Sequence, residues 1–308
     1  MTGIRRQRGV ALLTALAVVA LATVAATYMM SAQQLQIRRT GNQLLQEQAW
    51  QYALGAEAWS KTILAQDAAD NEIDALDENW AIELPPLPIE GGSLSGRLID
   101  LQGRFNLNNL VNSNGKLNAA SLDQLQKLLQ AQNLPIELAE AIADWQDEDI
   151  EAQGGSGAED DFYSGLETPY RTPNQKISST SELRLIRGID DEQLVLLKPL
   201  VTALPEQTSL NVNTASAEVF TSLGIAKEDA KQLAERLKEE PVESIADFEK
   251  LSEVSKYKID TSKLSVESQY FLLEVTVEIG QIRSRLSSVI FRDKDGISRT
   301  IQRSQSVL

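Results

Sequence analysis

The chain contains neither cysteine nor histidine. Without cysteine, disulfides are excluded as a stabilising device, even in a compartment that would permit them. Without histidine, the commonest general base and the commonest transition-metal ligand are both missing. Only serine–lysine or carboxylate pairs remain for catalysis, and none stands in a recognisable motif, so an enzyme is not expected. Positive charge is also scarce: the net charge is −15. A domain this acidic will not hold nucleic acid or an anionic membrane face by charge, whereas it can attract divalent cations.

Charge of either sign is absent between Arg8 and Arg38. The apolar run Val10 to Met30, about 21 residues, is long enough as a helix to cross a bilayer. Arg5, Arg6 and Arg8 precede it, so the short N-terminus is expected in the cytoplasm and the bulk of the chain on the far side. Three readings compete. A plain anchor satisfies hydropathy. A secretory signal peptide fits poorly, because the apolar region is too long and no small-x-small cleavage site follows it. The third is a short basic leader ending in Gly9, cut before a helix that is retained. Arg8-Gly9-Val10-Ala11-Leu12-Leu13 resembles the cleavage region of type IV pilins and type II secretion pseudopilins, which places the cut between Gly9 and Val10. Losing the three leader arginines takes the net charge from −15 to −18.

Leu45, Ala49, Tyr52, Ala56, Trp59 and Ile63 follow at alternating spacings of four and three, an apolar stripe on one helix face. One helix from Val10 to about Leu64 would be roughly 80 Å long. Two helices with a break near Gln33-Gln34 are the alternative. Residues 67–92 are acidic and then proline-rich and read as a loop, with a strand from Ser93 to Leu101. Helical patterns follow from Asn106 to about Ser265. Three strands close the chain: Leu273–Ile279, Arg283–Arg292 and Ile297–Arg303, with a turn at Asp295-Gly296. The expected fold is α+β: a long N-terminal helix packed on a small antiparallel sheet, with a large all-helical domain inserted into the sheet region. The boundaries are leader 1–9, membrane segment 10–30, helix and sheet 31–108 with 266–308, and insert 109–265.

Eleven acidic residues and no basic one lie between Lys127 and Arg171. Asp147, Asp149 and Glu151 form one cluster and Glu159, Asp160 and Asp161 another, joined by the flexible Gly154-Gly155-Ser156-Gly157. Carboxylates gathered like this repel one another unless a cation sits among them. Calcium accepts six to eight oxygens from irregular loops, and magnesium demands a stricter octahedron. The spacing is not that of an EF-hand: Ala152 stands where the turn glycine belongs, and Glu159 falls one position late. A solvated acidic loop is the bland alternative. The glycine joint and the flanking Trp145, Phe162 and Tyr163 favour calcium held by these six carboxylates. Leu210-Asn211-Val212-Asn213-Thr214-Ala215 with Leu223-Gly224-Ile225 resembles a helix-hairpin-helix, the basis of an alternative DNA-binding function. Its surroundings, Glu228, Asp229, Glu235, Glu239 and Glu240, are wrong for phosphate.

Further stretches carry a resemblance over the whole chain: Gln48-Ala49-Trp50-Gln51-Tyr52-Ala53-Leu54-Gly55-Ala56-Glu57, Asp100-Leu101-Gln102-Gly103-Arg104-Phe105-Asn106-Leu107-Asn108-Asn109-Leu110, Ala143-Asp144-Trp145, Gly157-Ala158-Glu159-Asp160 and Ser181-Glu182-Leu183-Arg184. With the leader and Leu210–Ala215 they resemble the K-type minor pseudopilins of bacterial type II secretion systems. The resemblance implies a pseudopilin fold with an inserted helical domain that binds calcium, cleavage by a prepilin peptidase, and a single-pass inner-membrane location with the bulk periplasmic. It also implies association with I- and J-type minor pseudopilins, other pseudopilins and the inner-membrane secretion platform. Thr14, fifth after the expected cut, stands where pilin-like proteins usually have a glutamate, implying a tip subunit that starts assembly.

Overall fold

The computed structural model describes residues 8–112 and 114–305. Most of the expected leader, residues 1–7, lies outside them. In chain order the elements are α1 (Arg8–Asp70), β1 (Leu84–Ile89), β2 (Gly92–Asp100), β3 (Phe105–Asn106), α2 (Ala119–Ala131), α3 (Leu138–Asp144), α4 (Asp160–Tyr163), α5 (Asp191–Leu197), β4 (Val201–Thr202), β5 (Leu210–Asn211), α6 (Ala217–Ser222), α7 (Lys227–Glu239), α8 (Ile245–Lys250), β6 (Leu264–Ser265), β7 (Tyr270–Ile279), β8 (Ile282–Arg292) and β9 (Ser298–Ser304).

α1 is one helix of 63 residues with no break at Gln33-Gln34. No proline interrupts its ladder, and its three glycines, Gly9, Gly41 and Gly55, are isolated. Every side chain from Val10 to Leu44 is exposed, so the protein's own core covers none of the apolar run. From Leu45 the helix packs against the sheet, burying Ala49, Ala53 and Leu64. Here the structure corrects the expected stripe. Trp59 is 46 % exposed, and the deepest line runs through Ala53, Glu57, Ser60 and Leu64. The phase differs because a glutamate lies in the contact face, and hydropathy assigns glutamate to solvent. Ser288 donates to Glu57 Oε2 at 2.8 Å, Thr300 donates to Oε1 at 2.7 Å, and Arg303 reaches both oxygens.

The sheet is antiparallel throughout in the order β1-β2-β7-β8-β9. Its inner face meets α1 through Leu94, Leu98, Phe271, Leu273, Val275 and Leu286. The proline-rich stretch expected as loop is the edge strand β1, irregular between Leu84 and Leu87. Prolines lack the N–H that a central strand needs, and an edge strand tolerates them. Strands β2 and β7 are neighbours, so everything between them, residues 101–269, leaves the sheet and returns to it.

That excursion has two apolar cores. One gathers Leu107, Leu125, Leu128, Leu129, Ile142 and Trp145. The other gathers Val212, Val219, Phe220, Leu233 and Phe248. Two short parallel pairs, β3 with β4 and β5 with β6, were not anticipated, since two residues carry no periodicity. At each, an asparagine folds its side chain back on the chain. Asn106 Oδ1 accepts from the N–H of Asn108 at 3.1 Å, and Asn211 Oδ1 from that of Asn213 at 3.0 Å. The Leu210–Ala215 stretch is thus a buried connector.

Candidate functional site

The acidic stretch hangs from α3. Trp145, just beyond its end, packs edge-on against Tyr163 of α4 with ring centres 5.4 Å apart, and Tyr163 meets Tyr170 at 5.2 Å. This aromatic floor holds the two ends of the acidic loop together. The loop is shaped by carboxylates taking backbone N–H groups. Asp144 accepts from Gln153 at 3.1 Å, Glu140 from Ser156 at 3.2 Å and Asp149 from Glu151 at 2.8 Å. Gly157 must be glycine, because a Cβ there would stand 2.1 Å from Asp144 Oδ2.

Within that frame three of the six expected ligands converge. Asp147, Asp149 and Glu159 each bring one carboxylate oxygen within 4.8 Å of the others. Glu151, Asp160 and Asp161 do not belong to this group. Glu151 and Asp161 are exposed. Asp160 is turned to Thr172, accepting from its N–H at 3.0 Å and its hydroxyl at 3.1 Å, and lies 3.7 Å from Arg171. Three residues from one helix-terminal turn and its neighbour meet because the glycine joint folds the loop back on itself.

Both oxygens of Asp147 and one of Glu159 are buried with no hydrogen-bond partner. Burial pushes the Asp147 carboxyl up to about 7, with Asp149 and Asp144 repelling its charge. Glu159 is pushed to about 7 by burial and by Asp144, Asp147 and Asp149. A buried carboxylate without donors is costly, and a cation is the partner that would satisfy several at once. These orphaned oxygens fit a hard divalent ion. Asn174, which the sequence did not single out, is tied to the same loop. Its Oδ1 is buried and unpartnered, while its Nδ2 donates to the Asp149 carbonyl at 3.1 Å. Its position after Pro173, with a left-handed φ of 45°, gave no sequence signal beyond that of a turn.

A second carboxylate group, Asp67, Asp74 and Glu78, joins the end of α1 to β8. Arg292 donates to Asp67 at 2.9 Å and to both oxygens of Asp74 at 2.5 and 2.6 Å. Glu78 accepts from Asn71, the Ala75 N–H and the Trp80 indole at 2.6–2.8 Å. Behind it Asp100 is fully enclosed by donors, with Asn211 Nδ2, Ser268 Oγ and Thr214 Oγ1 all on Oδ2. The group is filled by the protein itself.

At the other end of the molecule, the Thr14 hydroxyl donates to the Ala11 carbonyl at 3.0 Å, so its polarity is satisfied within its own helix. The backbone of Gly9 and Val10 is already helical. α1 is the one helix among the described residues long and apolar enough to cross a membrane.

Residues 103–206 and 210–267 match two family models, each described as type II secretion system (T2SS), protein K. Type II secretion system protein K of Aeromonas hydrophila is 35% identical over 96% of this chain and 96% of its own length. The protein of the same name from Pseudomonas aeruginosa is 37% identical over 97% and 93%. Among solved structures, the GspK-GspI-GspJ complex from the type 2 secretion system of enterotoxigenic Escherichia coli contains a chain superposing with a TM-score of 0.76 at 26% identity. The match covers 86% of this chain and 98% of that one.

Proposed function

This chain belongs to the type II secretion system protein K family, and from that premise we propose that it stands at the tip of the pseudopilus and starts its assembly. It is a minor pseudopilin of the type II secretion system, with a long apolar N-terminal helix suited to a membrane anchor. The family is a structural component of secretion, and the role read here is assembly rather than catalysis.

The observation that carries the proposal is the pairing of an uncovered apolar helix with a neutral fifth residue. From Val10 to Leu44 α1 presents its whole circumference for lipid or for neighbouring helices. A carboxylate at position 14 would need a cationic partner in that setting. Thr14 needs none, because its hydroxyl bonds its own backbone. After cleavage between Gly9 and Val10 by a prepilin peptidase, the chain offers a free amine to a later subunit but no carboxylate to an earlier one. The 101–269 excursion, which would crowd a following layer, is in keeping with an end position.

The partners follow from the solved relative, which is assembled with GspI and GspJ. This chain is read as joining I- and J-type minor pseudopilins, inserted once through the inner membrane with its bulk in the periplasm. Calcium is read as its resident cation, with Asp147, Asp149 and Glu159 as the residues that would hold it. Bound there, calcium would neutralise the repulsion within the loop.

Because the chain has no cysteine, single introduced cysteines give unambiguous crosslinks. A tip subunit yields crosslinks to I- and J-type partners and none between two copies of itself. Thr14→Glu should leave insertion and cleavage intact and impair assembly. Self-crosslinks along the shaft would refute the tip position.

A further inference from the structure

Between the outer face of the sheet and the segments 176–180 and 198–206 lie two cavities that share Ser178, Ala203, Val289 and Gln302 and so form one cleft. The wider part has a volume of about 600 Å³ and the narrower about 50 Å³. Its floor is apolar, with Tyr270, Leu272 and Val289 buried in one cluster and Phe291 packed against them. Phe291 pairs with Arg299 and Val289 with Gln302, so the cleft follows the β8–β9 pair along the strands. That course suits an extended chain.

The charge of the cleft is opposite to that of the molecule. The chain carries −15 overall, yet Arg104, Lys176, Lys198 and Arg299 line the cleft against a single carboxylate, Glu206. Lys176 is engaged with the Pro205 carbonyl at 2.7 Å, and Arg299 lies over the Phe291 ring at 5.0 Å. Arg104 and Lys198, in the narrow part, make no ion pair and no side-chain hydrogen bond among the described residues. The acids whose charge reaches Arg104 are committed elsewhere: Glu274 to Arg97 at 2.7 Å and Asp100 to its own donors. A half-buried guanidinium without a counterion is a cost that an incoming anion removes.

We infer that this cleft docks an extended acidic segment of a partner protein, its apolar side chains on Tyr270, Val289 and Phe291 and a carboxylate between Arg104 and Lys198. A planar anionic membrane would meet the acidic remainder of the chain first and be repelled.

The test uses the full chain in detergent and a fluorescein-labelled peptide of sequence Leu-Glu-Phe-Asp-Leu-Glu-Phe-Asp, read by fluorescence anisotropy. The same peptide with Gln and Asn in place of Glu and Asp should bind at least about tenfold more weakly, and the acidic peptide should weaken with added salt. Arg104→Gln with Lys198→Gln should reduce acidic-peptide affinity by about tenfold or more, whereas Arg285→Gln, at an exposed position on the same sheet face, should not. Unchanged melting of each variant shows that the fold is kept, and Arg104→Lys should retain part of the binding. Equal binding of the two peptides, absence of binding, or indifference to Arg104→Gln/Lys198→Gln would overturn the inference. So would displacement of the acidic peptide by soluble dioctanoyl phosphatidylglycerol as effectively as by unlabelled peptide, which would assign the cleft to lipid headgroups.

Discussion

Asp67, Asp74 and Glu78 come as close together as Asp147, Asp149 and Glu159, one oxygen of each within 4.8 Å of the rest. By proximity alone the two groups are equivalent. They differ in what occupies the oxygens. In the first, Arg292 supplies the positive charge and the neighbouring amides and indole supply the remaining donors. In the second, buried oxygens of Asp147 and Glu159 have no donor. Gathered carboxylates therefore fit a cation only where the protein has withheld its own cation and its own N–H groups. Glu57 is a third case, buried like Asp74 but surrounded on all sides by donors from two strands.

The largest effect should come from emptying the filled group. Arg292→Met leaves Asp67 and Asp74 without their counterion and should cost on the order of 3–5 kcal/mol in denaturant unfolding at neutral pH. Burial already pushes Asp74 up to about 7 against the pull of Arg292, with the Asp100 charge adding to the rise, and it pushes Asp67 to about 6. Both carboxyls are therefore protonated when the pH falls below about 6, so the cost of Arg292→Met should shrink there. A loss that is independent of pH would show that Arg292 does not act as the counterion of Asp67 and Asp74.

Adding calcium to the Asp147 group comes next. Calcium at about a hundred times its dissociation constant should stabilise the chain by about 2.7 kcal/mol, and magnesium by much less. Asp147→Asn with Glu159→Gln should abolish the calcium-dependent rise in Tm, whereas Asp67→Asn should leave that rise in place. No rise in the wild-type chain at millimolar calcium would remove the site.

Glu57 sharpens the contrast through pH. Burial alone would raise its carboxyl, but hydrogen bonds from Arg303, Thr300, Ser288 and Lys61 outweigh burial and hold it near 2. A depressed carboxyl contributes stability that is present above its unfolded value, about 4.5, and is lost as the pH falls toward 2. Allowing for the half-exposed Arg303, the contribution is on the order of 2 kcal/mol. Glu57→Gln should flatten the acid limb of the stability curve over that window, and an unaltered limb would show that the network contributes nothing. The smallest effects belong to the exposed acids: Glu151→Ala and Asp161→Ala should each change stability by no more than about 0.5 kcal/mol. Each should also leave the calcium response near that of the wild-type chain.

Much of the fold was legible in residue order. The alternation in Leu273–Ile279 is a local pattern, and it became the strand it indicated, β7. The proline-rich edge strand was not legible, because a strand at an edge keeps its place through one neighbour and need not alternate. The Asp147 and Glu159 clusters were visible as charge, and their glycine joint as a turn. Which oxygens would be left without a donor was not visible, nor was the bond from Asn174 to the Asp149 carbonyl.

Residue order alone specifies the uncharged span of α1, the neutral residue at position 14, the α+β order of elements and the two acidic clusters, since each depends on residues adjacent along the chain. Which carboxylates are satisfied depends on packing between distant parts of the chain. Arg292 lies 218 positions from Asp74, and Arg303 lies 246 from Glu57. Desolvation and hydrogen-bond satisfaction depend on what packs against a group in space, so no local pattern could separate the filled carboxylates of Asp67 and Asp74 from the orphaned ones of Asp147 and Glu159.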